Sequence, residues 1–415
     1  MCMIVKIDKL SHEMRGITKI DNKITFIDNT LPGEVVNIKI TKQKKNINEG
    51  RVISILEESK DREVPICPYY NECGGCNISH INYEKSLLYK KEIVKDIIKR
   101  YSNIEVNPEI ISDNNKYNYR NKITLRVKNN KLSLIGESPI NIDYCYLVNE
   151  NINKIIKILN TIKLKEVEEV IIKGTTEIMV IIKGNIEEEE LKSKLKGNVS
   201  SIILNNKKIY GKDYITIKVV DYTYAIYPES FFQEDTNMIS KVYDKVSTYA
   251  GSGKSLLDLY CGAGTIGIYL SKNFNKIIGI EKNKDAIISA NKNKELNNIK
   301  NIKFYCKEAN QIEKIEEDVL IIDPPRSGLD KITIEKIMLS KVKKIVYVSC
   351  NPITLARDLN ILKEKYTLKD ITLFDMFPNT SHIESICLLE IMRNIWMREY
   401  NFLKESMKDL FEISL

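Results

Sequence analysis

Short apolar runs alternate with helical stretches after residue 226, and this alternation constrains the fold of the 415-residue chain more than any other feature. The runs are rich in Val, Ile and Leu and lie at 255–260, 276–281, 301–305, 318–323 and 343–350. Strands that are apolar along their whole length are buried on both faces, and helices between them connect parallel strands. The pattern predicts an α/β fold with a doubly wound parallel sheet, closed by an antiparallel pair at 367–377 and 384–392.

The rest of the sequence predicts three further regions. Residues 1–58 contain short β-rich runs broken by turn residues, which is the pattern of a small, OB-like β-barrel. Residues 59–225 combine a cysteine-rich loop, a helix at about 83–101 and several strands, which predicts a central α+β domain. The helix at 83–101 can pack on the doubly wound domain, which we expect at 226–393. Residues 394–415 predict a C-terminal helical extension.

Composition and charge exclude several classes of protein. Hydrophobic residues make up 43% of the chain and charged residues 29%, which excludes a wholly disordered or fibrous protein. No apolar run approaches the roughly 18 residues that a membrane helix needs, and Lys6, Asp8 and Lys9 stand where a signal peptide needs an apolar core. We therefore expect a cytoplasmic protein with no membrane partner. The net charge of +8 permits an anionic partner without requiring one. The sequence contains no repeat, and we expect no obligate protein partner.

The first strand of the predicted sheet runs into a glycine-rich loop, DLYCGAGTIG at 258–267. Glycines there allow a tight turn and a close approach of the backbone to a ligand. Asp258 suits a cationic amino-acid ligand, and Glu281 ends the second strand where it can accept hydrogen bonds from ribose hydroxyls. Glu308 follows the third strand, near the expected position of an adenine. We expect a side chain added at Gly264 to fill space that the adenosine needs.

The fourth strand ends in Asp323-Pro-Pro-Arg, and this loop distinguishes between two nucleotide cofactors. NAD binding is the competing interpretation of a glycine-rich loop, but it does not account for the Asp-Pro-Pro-Arg sequence. With acidic residues after each of the preceding strands, the region resembles the class I S-adenosylmethionine (SAM) methyltransferases. The resemblance implies SAM as the cofactor.

A thiol at the end of the fifth strand points to the reaction. Cys350 lies in Ser-Cys-Asn-Pro, at the edge of the sheet where ligands bind in such folds. Carbon 5 of a pyrimidine is too weak a nucleophile to take a methyl group from SAM, and addition of a thiolate to carbon 6 activates it. A base must then remove the carbon-5 proton, and Glu384 is the candidate. The alternative is that Cys350 is a small buried apolar side chain and Glu384 a solvated carboxylate.

The nine cysteines are better explained by metal ligands or a catalytic thiol than by disulfides. An odd number in a large chain without a signal peptide argues against a disulfide framework. Cys67, Cys73 and Cys76 are clustered and Cys145 is distant, which suits a 4Fe–4S cluster. Zinc is the second interpretation, although zinc sites more often pair two CxxC motifs. A redox CxxC at Cys73 and Cys76 is the third, and no βαβ unit surrounds it.

Together these motifs resemble the RNA uracil-5 methyltransferases, specifically the iron–sulfur subgroup that modifies 23S ribosomal RNA. The resemblance covers about residues 1–393 and includes Tyr-Arg-Asn-Lys at 119–122 and Phe-Phe-Gln at 231–233. It implies that residues 1–58 form a TRAM RNA-binding domain and that Cys67, Cys73, Cys76 and Cys145 hold a 4Fe–4S cluster.

The same resemblance implies the roles of individual site residues. Cys350 would be the nucleophile and Glu384 the proton acceptor. Asp323 would lie at the junction of cofactor and uracil. The implied SAM contacts are Gln233, Tyr260, Thr265, Glu281 and Glu308.

Four other functions share part of these motifs. An RNA cytosine-5 methyltransferase typically carries a second cysteine in the Asp-Pro-Pro loop, where Arg326 stands. An adenine amino-methyltransferase uses an aromatic residue after the prolines and needs no thiol. A transfer-RNA uracil-5 methyltransferase shares the whole catalytic set and stays open. A non-catalytic RNA-binding iron–sulfur protein would need neither Cys350 nor Glu384.

Overall fold

The computed structural model describes residues 2–134 and 139–392. The helix predicted at 394–415 lies outside the described residues. Within them the chain forms four β-sheets and eight α-helices. None of the described helices has both the length and the apolar character that crossing a lipid bilayer requires.

The N-terminal region is one six-stranded sheet. Its strands are β1 (Cys2–Lys6), β2 (Lys9–Leu10), β3 (Gly16–Ile20), β4 (Lys23–Ile27), β5 (Val35–Gln43) and β6 (Ile47–Glu57). They lie in the order β1-β5-β6-β4-β3-β2. Because successive side chains of a strand point to opposite faces, β5 buries Val36 and Ile38 and exposes Lys39. The predicted β-rich region is therefore present, with its core on one face of β5.

A helix, a short strand and a second sheet follow the cysteine-rich loop. These elements are α1 (Tyr83–Ser102), β7 (Glu109–Ile111), β8 (Lys122–Lys128), β9 (Lys131–Leu134), β10 (Ile140–Asn141), α2 (Glu150–Leu159), β11 (Glu166–Gly174), β12 (Ile178–Asn185), α3 (Glu188–Leu195), β13 (Ser201–Leu204) and β14 (Lys207–Gly211). The central sheet has the order β10-β9-β8-β11-β12-β13-β14. Apolar residues at helical spacing in α2, including Ile152, Ile156 and Leu159, are buried in the core of this sheet. A separate hairpin, β15 (Ile215–Val219) and β16 (Tyr222–Ile226), completes the region.

The C-terminal sheet has eight strands. Its elements, apart from β7, are α4 (Thr236–Ala250), β17 (Gly253–Leu259), α5 (Thr265–Tyr269), β18 (Phe274–Glu281), α6 (Lys284–Leu296), β19 (Ile302–Cys306), β20 (Val319–Ile322), α7 (Lys331–Leu339), β21 (Lys344–Ser349), α8 (Pro352–Leu362), β22 (Tyr366–Phe374) and β23 (Glu384–Ile391). The order is β19-β18-β17-β20-β21-β23-β22-β7. Strands β17 to β21 are parallel, and β23 is antiparallel to both β21 and β22. The predicted doubly wound sheet with a closing antiparallel pair is confirmed.

Helix α1 and strand β7 pack on the C-terminal sheet although they precede the central sheet in sequence. Val94 and Ile98 of α1 are buried in one core with Leu355 and Leu359 of α8. Strand β7 lies parallel to β22 and extends the edge of the sheet. The packing of α1 predicted from sequence is thus present, whereas β7 was not expected there. The boundaries at residues 58, 225 and 393 stay predictions.

A buried ion pair fixes α1 to the loop after β22. The Nζ atom of Lys90 is 2.6 Å from Oδ1 of Asp375, and the side chains are 1% and 0% exposed. The hydroxyl of Tyr83 donates to the other oxygen of Asp375 at 2.9 Å. A buried charge is tolerated when it is paired and hydrogen-bonded, and it is costly once its partner is removed.

We predict that Lys90→Ala lowers the free energy of unfolding by about 3–5 kcal/mol, because it leaves Asp375 charged and unpaired in the interior. Lys95→Ala in the same helix is the control, since Lys95 pairs with Glu92 at the surface, where loss of a pair costs less than about 1 kcal/mol. Urea denaturation measures both variants. If both variants lose the same small amount of unfolding free energy, the buried pair does not hold α1.

Candidate active site

The carboxyl ends of four parallel strands bring the predicted site residues to one edge of the sheet. Tyr260 follows β17, Glu281 ends β18, Asp323 follows β20 and Cys350 follows β21. Ligands of open α/β sheets bind at this edge because the connecting loops diverge there. The strand order therefore brings together residues that lie far apart along the chain.

Asp258 is buried at the base of the glycine-rich loop. Its Oδ2 accepts a hydrogen bond from the backbone N–H of Gly267 at 3.1 Å, and its Oδ1 has no partner among the described residues. Burial raises the pKa of Asp258 to about 8, and the neighbouring charge of Asp323 contributes. A buried acceptor without a partner suits a cationic donor such as the ammonium group of SAM, so this residue fits the implied cofactor.

The two inner glycines of the loop differ in what they face. Gly262 and Gly264 both have positive φ angles, 52° and 73°. A Cβ atom added to Gly264 would lie 2.5 Å from Cζ of Phe304, whereas one added to Gly262 would meet no atom within 4 Å. Gly264 is therefore required by its close contact with Phe304, whether or not a ligand is bound. The expectation that a side chain there fills the adenosine space stays a prediction.

One cavity of about 300 Å³ lies beside the loop. Tyr260, Glu281 and Glu308, three of the predicted cofactor contacts, all line it. The carboxylate of Glu281 is held by the backbone, since it accepts from Gly262 N at 3.3 Å and from Asn283 N at 2.8 Å. The cavity thus presents fixed acceptors of the kind that ribose hydroxyls need.

A second, small cavity contains the other predicted contacts. Gln233, Thr265, Asp323 and Glu384 line a space of about 30 Å³. Glu384 is 5% exposed, and burial together with the charge of Asp323 raises its pKa well above the ordinary value. Burial raises the pKa of Asp323 to about 7. The structure thus places the predicted base beside three residues expected to bind the cofactor.

Cys350 lies half-buried in the largest of these cavities, about 670 Å³. Burial is the largest of the causes that raise the pKa of its thiol to about 11, and the negative charges of Glu384 and Asp323 are the next. The guanidinium of Arg326 lowers this pKa. The nucleophile and base predicted from sequence are therefore close enough to interact electrostatically. The alternative that Glu384 is a solvated carboxylate does not fit its burial.

The large cavity extends from Cys350 to the N-terminal sheet. His12 and Arg15, which lie between β2 and β3, line it, as do Gly75 and Asn77 of the cysteine-rich loop. The lining also includes the carboxylates of Glu13 and Asp28, and Arg15 pairs with Asp28. The N-terminal region thus forms one wall of the cavity in which Cys350 lies.

Two arginines of the site belong to sequence motifs, although the sequence did not predict a role for either. Arg326 has its Nη2 atom 3.4 Å from Nδ1 of His382, and its carbonyl accepts from Asn351 at 2.9 Å. Arg120 lines both the large cavity and the cavity of the cysteine-rich loop. The signal for Arg326 was its place directly after the two prolines. For Arg120 the sequence contained no signal beyond its motif. Its position between the large cavity and the cysteine cavity depends on the tertiary fold.

The four clustered cysteines line one further cavity. Cys67, Cys73, Cys76 and Cys145 share a space of about 290 Å³ with Arg120. Burial raises the pKa of Cys76 to about 12, with the charge of Cys145 as the second cause. Among the described residues, no group of three or more His, Cys, Asp or Glu side chains is arranged to hold a metal ion. The structure thus brings the four thiols to one cavity without a formed metal site.

The chain matches two family models. The model of the tRNA (uracil-5-)-methyltransferases matches residues 82–392, and the TRAM domain model matches residues 3–53. A protein of Halalkalibacterium halodurans named as an uncharacterized RNA methyltransferase is 32% identical, over 93% of this chain and 96% of its own length. A second uncharacterized RNA methyltransferase, from Caldanaerobacter subterraneus subsp. tengcongensis, is 35% identical over 94% of this chain and 98% of its own length.

A solved structure agrees with these matches. The Pyrococcus abyssi tRNA (uracil-54, C5)-methyltransferase, in complex with S-adenosyl-L-homocysteine, superimposes with a TM-score of 0.78 at 25% identity. The superposition covers 93% of this chain and all of that one. The fold is therefore that of a class I SAM-dependent methyltransferase. The chain belongs to the tRNA (uracil-5-)-methyltransferase family and is a SAM-dependent RNA methyltransferase that acts on carbon 5 of uracil and carries an N-terminal TRAM domain.

Proposed function

We propose that the enzyme methylates a uridine of 23S ribosomal RNA, with Cys350 as nucleophile and Glu384 as the base that removes the carbon-5 proton. The observation that carries the proposal is the grouping of Cys350, Glu384 and Asp323 at the carboxyl edge of the sheet, where both carboxylates act on the thiol. Methylation at uracil carbon 5 requires such a pair, because the carbon must first be activated and then lose its proton.

The two residues act at opposite ends of the reaction. The thiolate of Cys350 adds to carbon 6, forming a C–S bond and moving the displaced electron pair to the uracil oxygen O4, so that carbon 5 becomes nucleophilic. SAM supplies the methyl group as an electrophile. Glu384 then takes the proton from carbon 5. The electrons of that C–H bond restore the C5–C6 double bond, the C–S bond breaks, and the sulfur leaves as a thiolate.

The electrostatics of the site suit these roles. Burial beside Asp323 raises the pKa of Glu384, which favours its neutral form in the protein alone and makes its carboxylate a stronger base once a cationic cofactor has favoured ionisation. The thiol of Cys350 is mainly protonated at neutral pH, because its pKa is raised to about 11. Arg326 is the cation that opposes this shift. We infer that Arg326 supports the thiolate when the substrate is in place.

The cofactor contacts divide into two groups. We propose that Tyr260, Glu281 and Glu308 hold the adenosine of SAM and that Gln233, Thr265 and Asp323 hold the end that carries the methyl group. Support comes from the two cavities in which the groups lie. Asp258 adds a buried acceptor for the ammonium group.

We propose that Cys67, Cys73, Cys76 and Cys145 hold a 4Fe–4S cluster. Support comes from the cavity that all four thiols line, which brings the distant Cys145 to the Cys73–Cys76 loop, although the side chains of the described residues do not form a metal site in their present positions. Four thiolates are the ligand set that such a cluster would need. Buried thiols with raised pKa values also need a cation to become thiolates. The cluster would supply a structural bond between the loop and the central domain.

The RNA substrate has two candidates. The four-cysteine set supports 23S ribosomal RNA through the resemblance to the iron–sulfur subgroup. The Pyrococcus abyssi structure supports transfer RNA, because that enzyme is named for uracil 54 of transfer RNA. In either case the target base must leave its stack to reach Cys350, at a cost of a few kcal/mol, so a looped or single-stranded uridine is favoured.

The first prediction concerns the substrate. Unmodified 23S ribosomal RNA and transfer RNA are incubated with labelled SAM, and the digested RNA is analysed by mass spectrometry. We expect 5-methyluridine in the 23S RNA, formed faster than in transfer RNA. Cys350→Ala with either RNA is the control. Methylation confined to transfer RNA would replace the ribosomal assignment by the second candidate.

The second prediction separates nucleophile from base. Cys350→Ala binds RNA and SAM but forms neither product nor covalent adduct. Glu384→Gln still transfers the methyl group, but the carbon-5 proton stays and the thioether cannot be eliminated. A denaturation-resistant protein–RNA band accumulates in that variant. Product formation by Cys350→Ala at the wild-type rate would show that another residue is the nucleophile.

The third prediction concerns the pH dependence of the thiol. Because the pKa of Cys350 is raised to about 11, its alkylation by iodoacetamide rises about tenfold per pH unit from pH 7 to 10. Mass spectrometry of the Cys350 peptide measures the rate. Arg326→Ala removes the cation that lowers the pKa, so its profile shifts to higher pH. A plateau near pH 8 in the wild type would contradict the assigned environment.

The fourth prediction concerns the metal. Anaerobically purified protein contains about four irons per chain and is brown, and Cys73→Ser loses them. Cys306→Ser is the matched control, because Cys306 is exposed and lies outside the cysteine cavity. One zinc per chain without iron would contradict the cluster.

A further inference from the structure

The loop between β22 and β23 carries the chain to Glu384, and several of its contacts come from earlier parts of the sequence. Asp375 is paired with Lys90 of α1. The hydroxyl of Tyr119 donates to the carbonyl of Pro378 at 2.9 Å. The loop that presents the proposed base is therefore anchored at its start and in its middle by residues that lie more than 200 positions away in sequence.

Asn77, directly after Cys76, contacts the loop nearer to the base than Lys90 and Tyr119 do. Its backbone N–H donates to the carbonyl of Asn379 at 3.1 Å. Its side-chain Oδ1 accepts from the backbone N–H of Ser381 at 2.9 Å, and its Nδ2 donates to Oγ of Ser381 at 3.1 Å. The same Nδ2 donates to the carbonyl of Glu13 at 3.1 Å. One side chain thus joins the TRAM domain, the cysteine-rich loop and the loop that leads to Glu384.

The middle of the anchored loop has a backbone conformation that depends on its surroundings. Asn379 has a φ angle of 65°, in the left-handed region that Asn adopts more readily than most other residues. Its side chain donates to the carbonyl of Lys116 at 2.6 Å, and its own carbonyl accepts from Asn77 and Ile78. These hydrogen bonds fix the turn at Asn379, so Asn77 helps to define the path of the chain into β23.

We propose that Asn77 is a positioning residue for the proton-removal step: it fixes the loop that presents Glu384, and through it the fold of the cysteine-rich loop controls that step. The inference rests on the proposed roles of Cys350 and Glu384. Ser381 is only three residues before Glu384, whereas Cys350 follows β21 and leads into α8, which Asn351 caps with its own side chain. Loss of the Asn77 contacts therefore affects the base more than the nucleophile.

The test measures formation and breakdown of the covalent intermediate separately. RNA containing 5-fluorouridine traps the intermediate, because fluorine cannot leave as a cation, and the rate of trapping reports addition and methyl transfer. Natural RNA reports elimination, through the lifetime of the denaturation-resistant adduct. For Asn77→Ala we expect trapping within about twofold of wild type and an adduct lifetime longer by about tenfold or more, since small misplacement of a reacting group has large effects on rate.

Two further variants sharpen the test. Asn77→Asp keeps an acceptor for the N–H of Ser381 and loses both donors, so its adduct lifetime should lie between those of wild type and Asn77→Ala. Asn205→Ala is the matched control, because Asn205 also bridges a backbone N–H and a carbonyl, both of Gly184, but lies in the central sheet region. Its trapping rate and adduct lifetime should equal those of wild type.

The outcomes are distinguishable. An unchanged adduct lifetime in Asn77→Ala would overturn the positioning role, and so would an equal loss of trapping and elimination together with a lowered melting temperature. If the wild-type enzyme fails to form any adduct with 5-fluorouridine RNA, the proposed roles of Cys350 and Glu384 fail first, and the inference falls with them.

Discussion

Buried negative charge at the carboxyl edge of the sheet is the constraint on which the rest of the active site depends. Asp258 is 0% exposed and Glu384 is 5% exposed, and the charge of Asp323 acts on both. Burial of carboxylates favours their neutral forms, and a neighbouring negative charge adds to the effect. A cationic cofactor relieves this repulsion and so favours the ionised form of Glu384, which its raised pKa makes a stronger base. The same negative charges keep the Cys350 thiol mainly protonated, although Arg326 already lowers its pKa.

The segments before the methyltransferase sheet hold its active site in shape. Lys90 and Tyr119 contact the loop after β22, and Asn77 contacts the same loop nearer to Glu384. Helix α1 shares a core with α8 and is as much part of this unit as the strands. The family match begins at residue 82, one residue before α1, and therefore includes this helix.

Sequence patterns were sufficient where local rules decide the structure. Apolar runs separated by helices specified the parallel sheet, and strand ends located Glu281, Asp323 and Cys350 at one edge. Such local rules could not predict the contacts between segments that are distant in sequence. The attachment of β7 to β22, the orientation of Gly264 towards Phe304 and the bonds of Asn77 all depend on how loops approach one another in three dimensions. Periodicity and spacing along one chain contain no signal for these contacts.

The most direct test of the central claim is to identify the residue that bonds to the RNA. The trapped complex with 5-fluorouridine RNA is digested with protease and nuclease, and the peptide that carries the nucleotide is sequenced by mass spectrometry. The account predicts one modified residue, Cys350, bonded through sulfur to carbon 6 of a methylated 5-fluorouracil. Attachment at any other residue, including Cys73 or Cys76 of the cysteine-rich loop, would contradict it.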